Sequence, residues 1–126
     1  MTAFTSESKT WVSWIISCSC KPESFDEISN LALKMTQYFK TNEPDTTNFE
    51  ISVNADHDQI HVHERYSTSS QALSHMKAFG NLFGAEFMSL LTPKQVVVYG
   101  YPTAELSDAL DTLSPNKMTN FQGFTR

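Results

Sequence analysis

The order in which two hydrophobic periodicities alternate along the chain constrains the fold more than any other feature of the sequence. β-Branched and aromatic residues, or strict apolar–polar alternation, predict strands at 9–18, 49–53, 59–66 and 95–100. Apolar residues at offsets of three and four predict a helix at 22–40 and a second helical segment before the last strand. The order β-α-β-β-α-β predicts an α+β, ferredoxin-like split βαβ fold with a four-stranded antiparallel sheet.

Local signals bound the two helical segments. Pro22 suits the first turn of a helix, and Pro44 ends that helix because proline cannot continue the hydrogen-bond ladder. Thr68 starts a capping-box spacing and so predicts the beginning of the second segment. We expect Gly80 and Gly84 to bend or break this segment, and Thr92-Pro93 to end it.

The chain has 126 residues, which predicts one domain spanning 1–126. The ferredoxin-like core is expected at about 9–100, followed by a C-terminal extension at 101–126. Apolar residues at helical spacing predict a short helix that begins near Thr103. The tail at 117–126 has no clear period, and we expect it to pack on a neighbouring element, with an added strand as one option.

Charge and cysteine spacing limit the partners and the compartment. Nine Lys and Arg against fourteen Asp and Glu give a net charge of -5, which argues against a nucleic-acid partner. The apolar run at 11–18 is too short to span a bilayer, so no membrane partner is expected. A disulfide between Cys18 and Cys20 would be strained, which favours a reducing, cytoplasmic location. Secretion is the alternative, and Glu7 and Ser13 argue against a signal peptide.

One face of the predicted sheet has no helix to cover it. Trp11, Trp14 and Ile15 place bulky side chains on both faces of the first strand, and 96–98 does the same in the last strand. An apolar sheet face is costly to leave in water. We therefore expect a homodimer in which two sheets meet face to face and form a barrel.

Four short motifs follow one another along the chain: Asn42-Glu43-Pro44-Asp45, Phe49-Glu50-Ile51-Ser52-Val53, His63-Glu64-Arg65-Tyr66-Ser67 and Ala72-Leu73-Ser74-His75. In order and spacing they resemble the antibiotic biosynthesis monooxygenase family. In that family the first helix ends in Glu-Pro-Gly, one strand carries an aromatic residue followed by an acid, and the next strand ends in Glu-x-aromatic. A histidine follows about nine residues later. The chain departs from the pattern at Asp45, where glycine is preferred, and at Tyr66, where tryptophan is frequent.

The resemblance implies a dimeric α/β barrel with a pocket between the sheet and the helices of each subunit. Several relatives oxygenate phenols, anthrones or quinols without metal or flavin, others degrade haem, and many have no assigned substrate. The first strand lacks the asparagine of the haem-degrading members. We therefore expect a cofactor-independent monooxygenase of a small aromatic or quinol substrate, with no cofactor. A non-catalytic, small-ligand-binding or stress-related dimer of the same fold is the alternative.

Three residues are candidates for catalysis. Glu64 and Tyr66 fall on the strand face expected to meet the helices, and His75 falls near the inward stripe of the second helix. A buried acid must be paired, and His75 is the expected partner of Glu64. In the implied activity His75 acts as base or proton shuttle, Glu64 as its orienting acid and Tyr66 as a substrate-positioning hydroxyl. The alternatives are structural: His75 could brace the helix and strand, Glu64 could bond backbone amides at the start of the helix, and Tyr66 could be a core ring with its hydroxyl in water.

Four aromatic residues are expected to line a substrate cavity if one exists: Trp14, Phe79, Phe83 and Phe87. Ordinary core packing is the alternative for such a stripe. His61 and His63 share one strand face and could form half of a metal site. Since Glu64 falls on the other face and His57 falls in a turn, no residue adjacent in sequence completes three ligands, and we expect no metal. A barrel-facing or dimer-interface position balanced by Glu50 is the ordinary interpretation of this pair, and a metal-dependent enzyme is the alternative.

Overall fold

The computed structural model describes residues 9–126. Five strands form one sheet: β1 (Val12–Ser19), β2 (Thr46–Val53), β3 (Gln59–Tyr66), β4 (Thr92–Gly100) and β5 (Asn116–Lys117). Four helices accompany them: α1 (Phe25–Asn42), α2 (Ser69–Leu82), α3 (Gly84–Leu90) and α4 (Ala104–Asp111). The strand order is β2-β3-β1-β4-β5, and the first four strands pair antiparallel. The predicted α+β, ferredoxin-like class is thus confirmed.

The sheet is mixed rather than purely antiparallel, because β5 pairs parallel to the edge of β4. The added strand that we considered for the tail therefore exists, but it begins at Asn116 and has only two residues. α4 precedes it and is capped by Thr103, whose side chain accepts a hydrogen bond from the amide of Leu106. Within residues 9–126, no helix has both the length and the apolar character needed to cross a bilayer.

β4 begins earlier than its apolar run indicated. The sequence signal placed Thr92-Pro93 at the end of the helical segment, whereas both residues belong to the strand. Pro93 lies opposite Cys18, at the register shift that separates Ser17 from Cys18. A proline is tolerated there because an irregularity already interrupts the hydrogen-bond ladder.

The second helical segment divides into α2 and α3 between Leu82 and Gly84. The predicted break therefore occurs at Gly84, while Gly80 remains inside α2. Thr68 caps α2 as predicted, with its side chain accepting a hydrogen bond of 3.1 Å from the amide of Gln71. The break redirects α3 so that Phe87 joins the core shared by α1 and the sheet.

One face of the sheet carries the whole described core. Alternate strand residues point to this face, and the buried residues of all four helices pack against them in two clusters. α1 covers the β2–β3 end of the face, whereas α4 covers the end near Tyr66, where Leu106 and Leu110 are fully buried. His61 and His63 point to the opposite face and are exposed, as the alternation in β3 predicted.

Candidate functional site

The register of β1 against β3 brings polar groups together inside the core. Trp14 lies directly opposite Glu64, and Tyr66 is two residues further along the same face of β3. α2 crosses above this point and directs His75 toward the sheet. All four side chains are buried. Buried polar groups need partners, so their hydrogen bonds define the chemistry of the site.

The carboxylate of Glu64 accepts three hydrogen bonds. The indole Nε1 of Trp14 donates to Oε2 at 2.9 Å, and the hydroxyl of Tyr66 donates to Oε1 at 2.5 Å. His75 Nε2 lies 2.8 Å from Oε1. The predicted contact between Glu64 and His75 is therefore present. Because a carboxylate has about four acceptor positions, one position remains, and it belongs to Oε2.

A second buried carboxylate contacts the other side of the imidazole. Nδ1 of His75 lies 2.9 Å from Oε1 of Glu43, which also accepts a 2.8 Å hydrogen bond from the hydroxyl of Thr46. Glu43 directly follows α1, and its amide closes the last turn by donating to the carbonyl of Phe39. We call Glu43, His75 and Glu64 the buried triad. It joins α1, α2 and β3.

The triad favours a protonated imidazole. Burial lowers the pKa of His75, but the hydrogen bonds and negative charges of Glu64 and Glu43 outweigh burial, so the net pKa is raised. The ring of Phe39 lies 4.2 Å away and can also stabilise a cation. Both ring nitrogens can then donate to carboxylates. Burial, followed by the charge of Glu64, raises the pKa of Tyr66 well above its ordinary value, which keeps the phenol protonated.

A cavity of about 240 Å³ lies between the sheet and the helices beside the triad. Glu64 and His75 form its polar wall. The other lining residues are apolar or aromatic: Trp14, Ile16, Met35, Phe49, Val62, Met76, Phe79, Phe87, Met88, Pro93, Val96 and Leu113. For comparison, an engineered cavity of about 150 Å³ in another protein binds benzene. The space therefore accommodates one substituted aromatic ring.

The aromatic residues predicted for a cavity divide into two groups. Trp14, Phe79 and Phe87 line the cavity. Phe83 packs elsewhere, with its ring 5.8 Å from that of Tyr38 and 5.6 Å from that of Phe39. Phe83 is the residue at the break between α2 and α3, and its side chain packs toward α1 and away from the cavity.

Tyr66, predicted as a substrate-positioning residue, does not line the cavity. Its side chain is fully buried, and its hydroxyl is directed at Glu64. Any influence of Tyr66 on a molecule in the cavity therefore acts through the position of that carboxylate.

Glu43 had no assigned role in the sequence analysis. One signal could have indicated it. The negative end of the helix dipole disfavours an acid at a helix C-terminus, so Glu43 needs a cationic or hydrogen-bonding partner there. The apolar residues Met88 and Leu113 were also missed, since neither belongs to the predicted aromatic stripe.

The histidines considered for metal binding lie outside this site. His61 and His63 are on the sheet face opposite Glu64. In the part of the chain that the structure describes, no three His, Cys, Asp or Glu side chains are grouped as metal ligands. The two carboxylates of the triad bind opposite nitrogens of the imidazole, so they do not converge on one point.

Comparison with solved structures shows that the chain has a known fold. MupZ from Pseudomonas fluorescens superposes with a TM-score of 0.80 at 19% sequence identity, covering 93% of this chain and 95% of MupZ. A candidate antibiotic biosynthesis monooxygenase from Nitrosomonas europaea superposes with a TM-score of 0.61 at 24% identity, covering 76% of this chain and 96% of that one. The fold is that of the antibiotic biosynthesis monooxygenases.

A further candidate member from Caulobacter crescentus covers 72% of this chain and 87% of its own length, with a TM-score of 0.55 at 16% identity. No family model and no curated protein matches the sequence. The 93% coverage by MupZ cannot be reached without most of the C-terminal extension. The monooxygenase fold is therefore supported by structure, and the extension is shared with one of these neighbours.

Proposed function

We propose that the protein is a cofactor-independent monooxygenase that oxidises a small aromatic or quinol substrate. One observation carries the proposal: an apolar cavity of single-ring size is closed on one side by a buried carboxylate, Glu64, which keeps a free acceptor position and contacts His75. A phenolic hydroxyl can donate to that position while its ring packs against Trp14 and Phe79. Small-molecule sites are typically apolar with a few convergent polar groups.

The chemistry requires removal of a proton before oxygen reacts. Triplet oxygen reacts slowly with a neutral, closed-shell ring, whereas the phenolate or enolate can transfer an electron to it. When a ring C–H of a phenol is oxidised so that the ring becomes a quinone, one O₂ is consumed and one water is released. The substrate supplies all four electrons, so no external reductant is needed. The protein's task is to bind the ring and move protons.

The roles within the triad follow from its hydrogen bonds. Both nitrogens of His75 are already bonded to carboxylates, so we assign it the role of proton shuttle rather than of direct base. Glu64 receives the substrate proton and passes it across the 2.8 Å contact to Nε2 of His75 when the imidazole is neutral, which regenerates the protonated ring that the two carboxylates favour. Glu43 orients the imidazole and stabilises its charge. Tyr66 is a positioning residue because its hydroxyl fixes Glu64.

Oxygen uptake tests this proposal. The purified protein is mixed with a panel of single-ring phenols and quinols, and O₂ consumption is recorded for the wild type, His75→Gln and Glu64→Gln. We expect turnover to fall by about 10²–10⁴-fold in both variants, because general acid–base catalysis typically accelerates a reaction by that factor. Phe83→Leu, outside the cavity, is the control and should retain turnover. Unchanged turnover of an accepted substrate in His75→Gln would show that the proton shuttle is misassigned.

A second candidate function is non-catalytic binding of a small apolar ligand. It is favoured by the pairing of the polar groups: among residues 9–126, every buried side-chain nitrogen and oxygen has at least one hydrogen-bond partner within the protein. A site of this kind can also bind a ligand without reacting with it. Isothermal titration calorimetry and oxygen uptake separate the two functions, because a binding protein retains the ligand and consumes no O₂.

We also propose that the active form is a homodimer joined through the sheet face opposite the helices. Ile15, Val97 and Tyr99 lie on this face and are only half-buried in one subunit. Analytical ultracentrifugation should give twice the chain mass of 14.2 kDa. Ile15→Glu should shift the protein to the monomer, since a charge would be buried without a partner. The cytoplasmic location stays a prediction from cysteine spacing.

A further inference from the structure

We propose that the cavity is a two-ended site that selects hydroxylated aromatic molecules carrying an extended apolar substituent, with Met88 and Leu113 as the residues that recognise the substituent. The inference takes the ring and hydroxyl from the proposed function. It adds the direction in which the ligand lies and the part of the protein that determines chain-length preference.

The two ends of the cavity differ in polarity and exposure. Glu64 and His75 are each 3% exposed and form the inner end. Met88 and Leu113 are 61% and 44% exposed, yet they line the same cavity. The cavity therefore opens to solvent between α3, which carries Met88, and the turn after α4, which carries Leu113. We call this opening the mouth. A ligand enters with its hydroxyl first, because Glu64 at the inner end offers a side-chain acceptor, whereas Met88 and Leu113 at the outer end are apolar.

The volume sets how much of the ligand remains outside. About 240 Å³ holds one substituted ring and leaves no space for a long chain. A substituent para to the hydroxyl must then pass the mouth and lie on Met88 and Leu113. Contact with these side chains removes apolar surface of both partners from water, which favours binding by up to roughly fourfold for each buried methylene.

Leu113 and Met88, on the two sides of the mouth, differ in rigidity. Leu113 follows α4, and its amide donates to the carbonyl of Leu110. The chain after it is held by the pairing of β5 with β4 and by an ion pair between Lys117 and Asp111. Leu113 is thus a fixed wall supplied by the C-terminal extension. Met88 is an unbranched, flexible side chain that can adapt to substituents of different shape.

Calorimetric titration under nitrogen tests the proposal, because without oxygen only binding is measured. The probes are 4-ethylphenol, 4-hexylphenol and 4-hexylanisole, in which a methyl group blocks the hydroxyl. We expect 4-hexylphenol to bind at least tenfold more tightly than 4-ethylphenol, and at least tenfold more tightly than 4-hexylanisole. Equal affinity for the two phenols would overturn the role of the mouth, and equal affinity for phenol and anisole would overturn the orientation.

Variants assign the preference to the two residues. In the double variant Met88→Ser with Leu113→Ser, the hexyl-to-ethyl affinity ratio should fall to threefold or less. Both positions are exposed, so polar replacement leaves the core intact. Leu33→Ser is the matched control, since Leu33 is 57% exposed on α1 and does not line the cavity. A ratio that survives the double variant, or falls equally in the control, would refute the assignment.

The same measurements separate this inference from the proposed function. Chain-selective binding without oxygen uptake in air would remove the monooxygenase proposal and leave the two-ended site standing. Oxygen uptake with phenols of every chain length, at equal affinity, would retain the monooxygenase and refute the recognition by Met88 and Leu113. Failure of all three probes to bind would refute the two-ended site.

Discussion

Replacing Glu43 by glutamine removes one negative charge from the buried triad while keeping its shape. The hydroxyl of Thr46 and Nδ1 of His75 both approach the same oxygen, Oε1, at 2.8 and 2.9 Å. The carbonyl oxygen of glutamine can accept both hydrogen bonds. Glu43→Gln therefore tests the charge on this side chain separately from its hydrogen bonds, which alanine would not do.

The expected magnitude follows from the type of hydrogen bond that is lost. Hydrogen bonds to charged groups contribute about 1.5–3 kcal/mol, whereas neutral ones contribute about 0.5–1.5 kcal/mol. The side chains of His75 and Glu43 are 4% and 7% exposed, so solvent screens their interaction weakly. We expect Glu43→Gln to lower the free energy of unfolding by about 1–1.5 kcal/mol where His75 is protonated. The pKa of His75 should also fall, since burial then opposes only one carboxylate.

The pH dependence has a definite sign. The pKa of His75 is raised in the folded protein, so its contribution to stability is complete below the unfolded-state pKa of about 6.5. That contribution is lost as the pH rises through the folded-state pKa. The destabilisation by Glu43→Gln should therefore be greatest near pH 6 and should shrink at pH 9.

Urea denaturation at both pH values measures the free energies, and NMR titration of the histidine rings measures the pKa. The chain has four histidines, and His75→Gln identifies the signal of the buried ring. An unchanged titration of His75 in Glu43→Gln, or a stability loss that is equal at pH 6 and pH 9, would refute the electrostatic account of the triad.

Four further predictions concern stability and thiol reactivity. Gly100 has a φ of 93°, and a Cβ there would lie 2.6 Å from the carbonyl oxygen of Trp11, so Gly100→Ala should cost about 3 kcal/mol or more in urea denaturation. Gly80→Ala, in α2 with nothing within 4 Å, should instead stabilise by about 0.5–1 kcal/mol, and a similar loss in both variants would contradict the steric argument. Burial raises the pKa of Cys18 to about 11, so iodoacetamide at pH 8 should alkylate it at least ~100-fold more slowly than in urea. Tyr66→Phe should cost about 1.5–3 kcal/mol by removing a hydrogen bond to a buried carboxylate, and a negligible loss would show that this bond contributes little.

Regular periodicity explains which parts of the site could be predicted. The period of two in β3 places Glu64 and Tyr66 on one face, and the structure has them there. The helical period places His75 toward the same face, and its contact with Glu64 was predicted from the need to pair a buried acid. These inferences depend on neighbouring residues in one element or in two adjoining elements.

The remaining parts depend on long-range packing. Glu43 stands at the end of α1, and only the way this helix crosses the sheet brings it to His75, 32 residues later. β5 has two residues, too few to show any period. The start of β4 was missed because Thr92-Pro93 was interpreted as the end of the helical segment. Leu113 reaches the cavity through the turn after α4, which no local pattern indicates.

The buried triad ties three elements of the fold together with the same atoms that contact the cavity. Any substitution that alters proton transfer there also loosens the packing of α1 and α2 on the sheet. Met88 and Leu113 at the mouth do not combine a structural role with a chemical one, since they are exposed and make no polar contacts across the core. Among proteins that share this triad, sequence changes should therefore accumulate at the mouth of the cavity, so that new ligand preferences arise while the triad is retained.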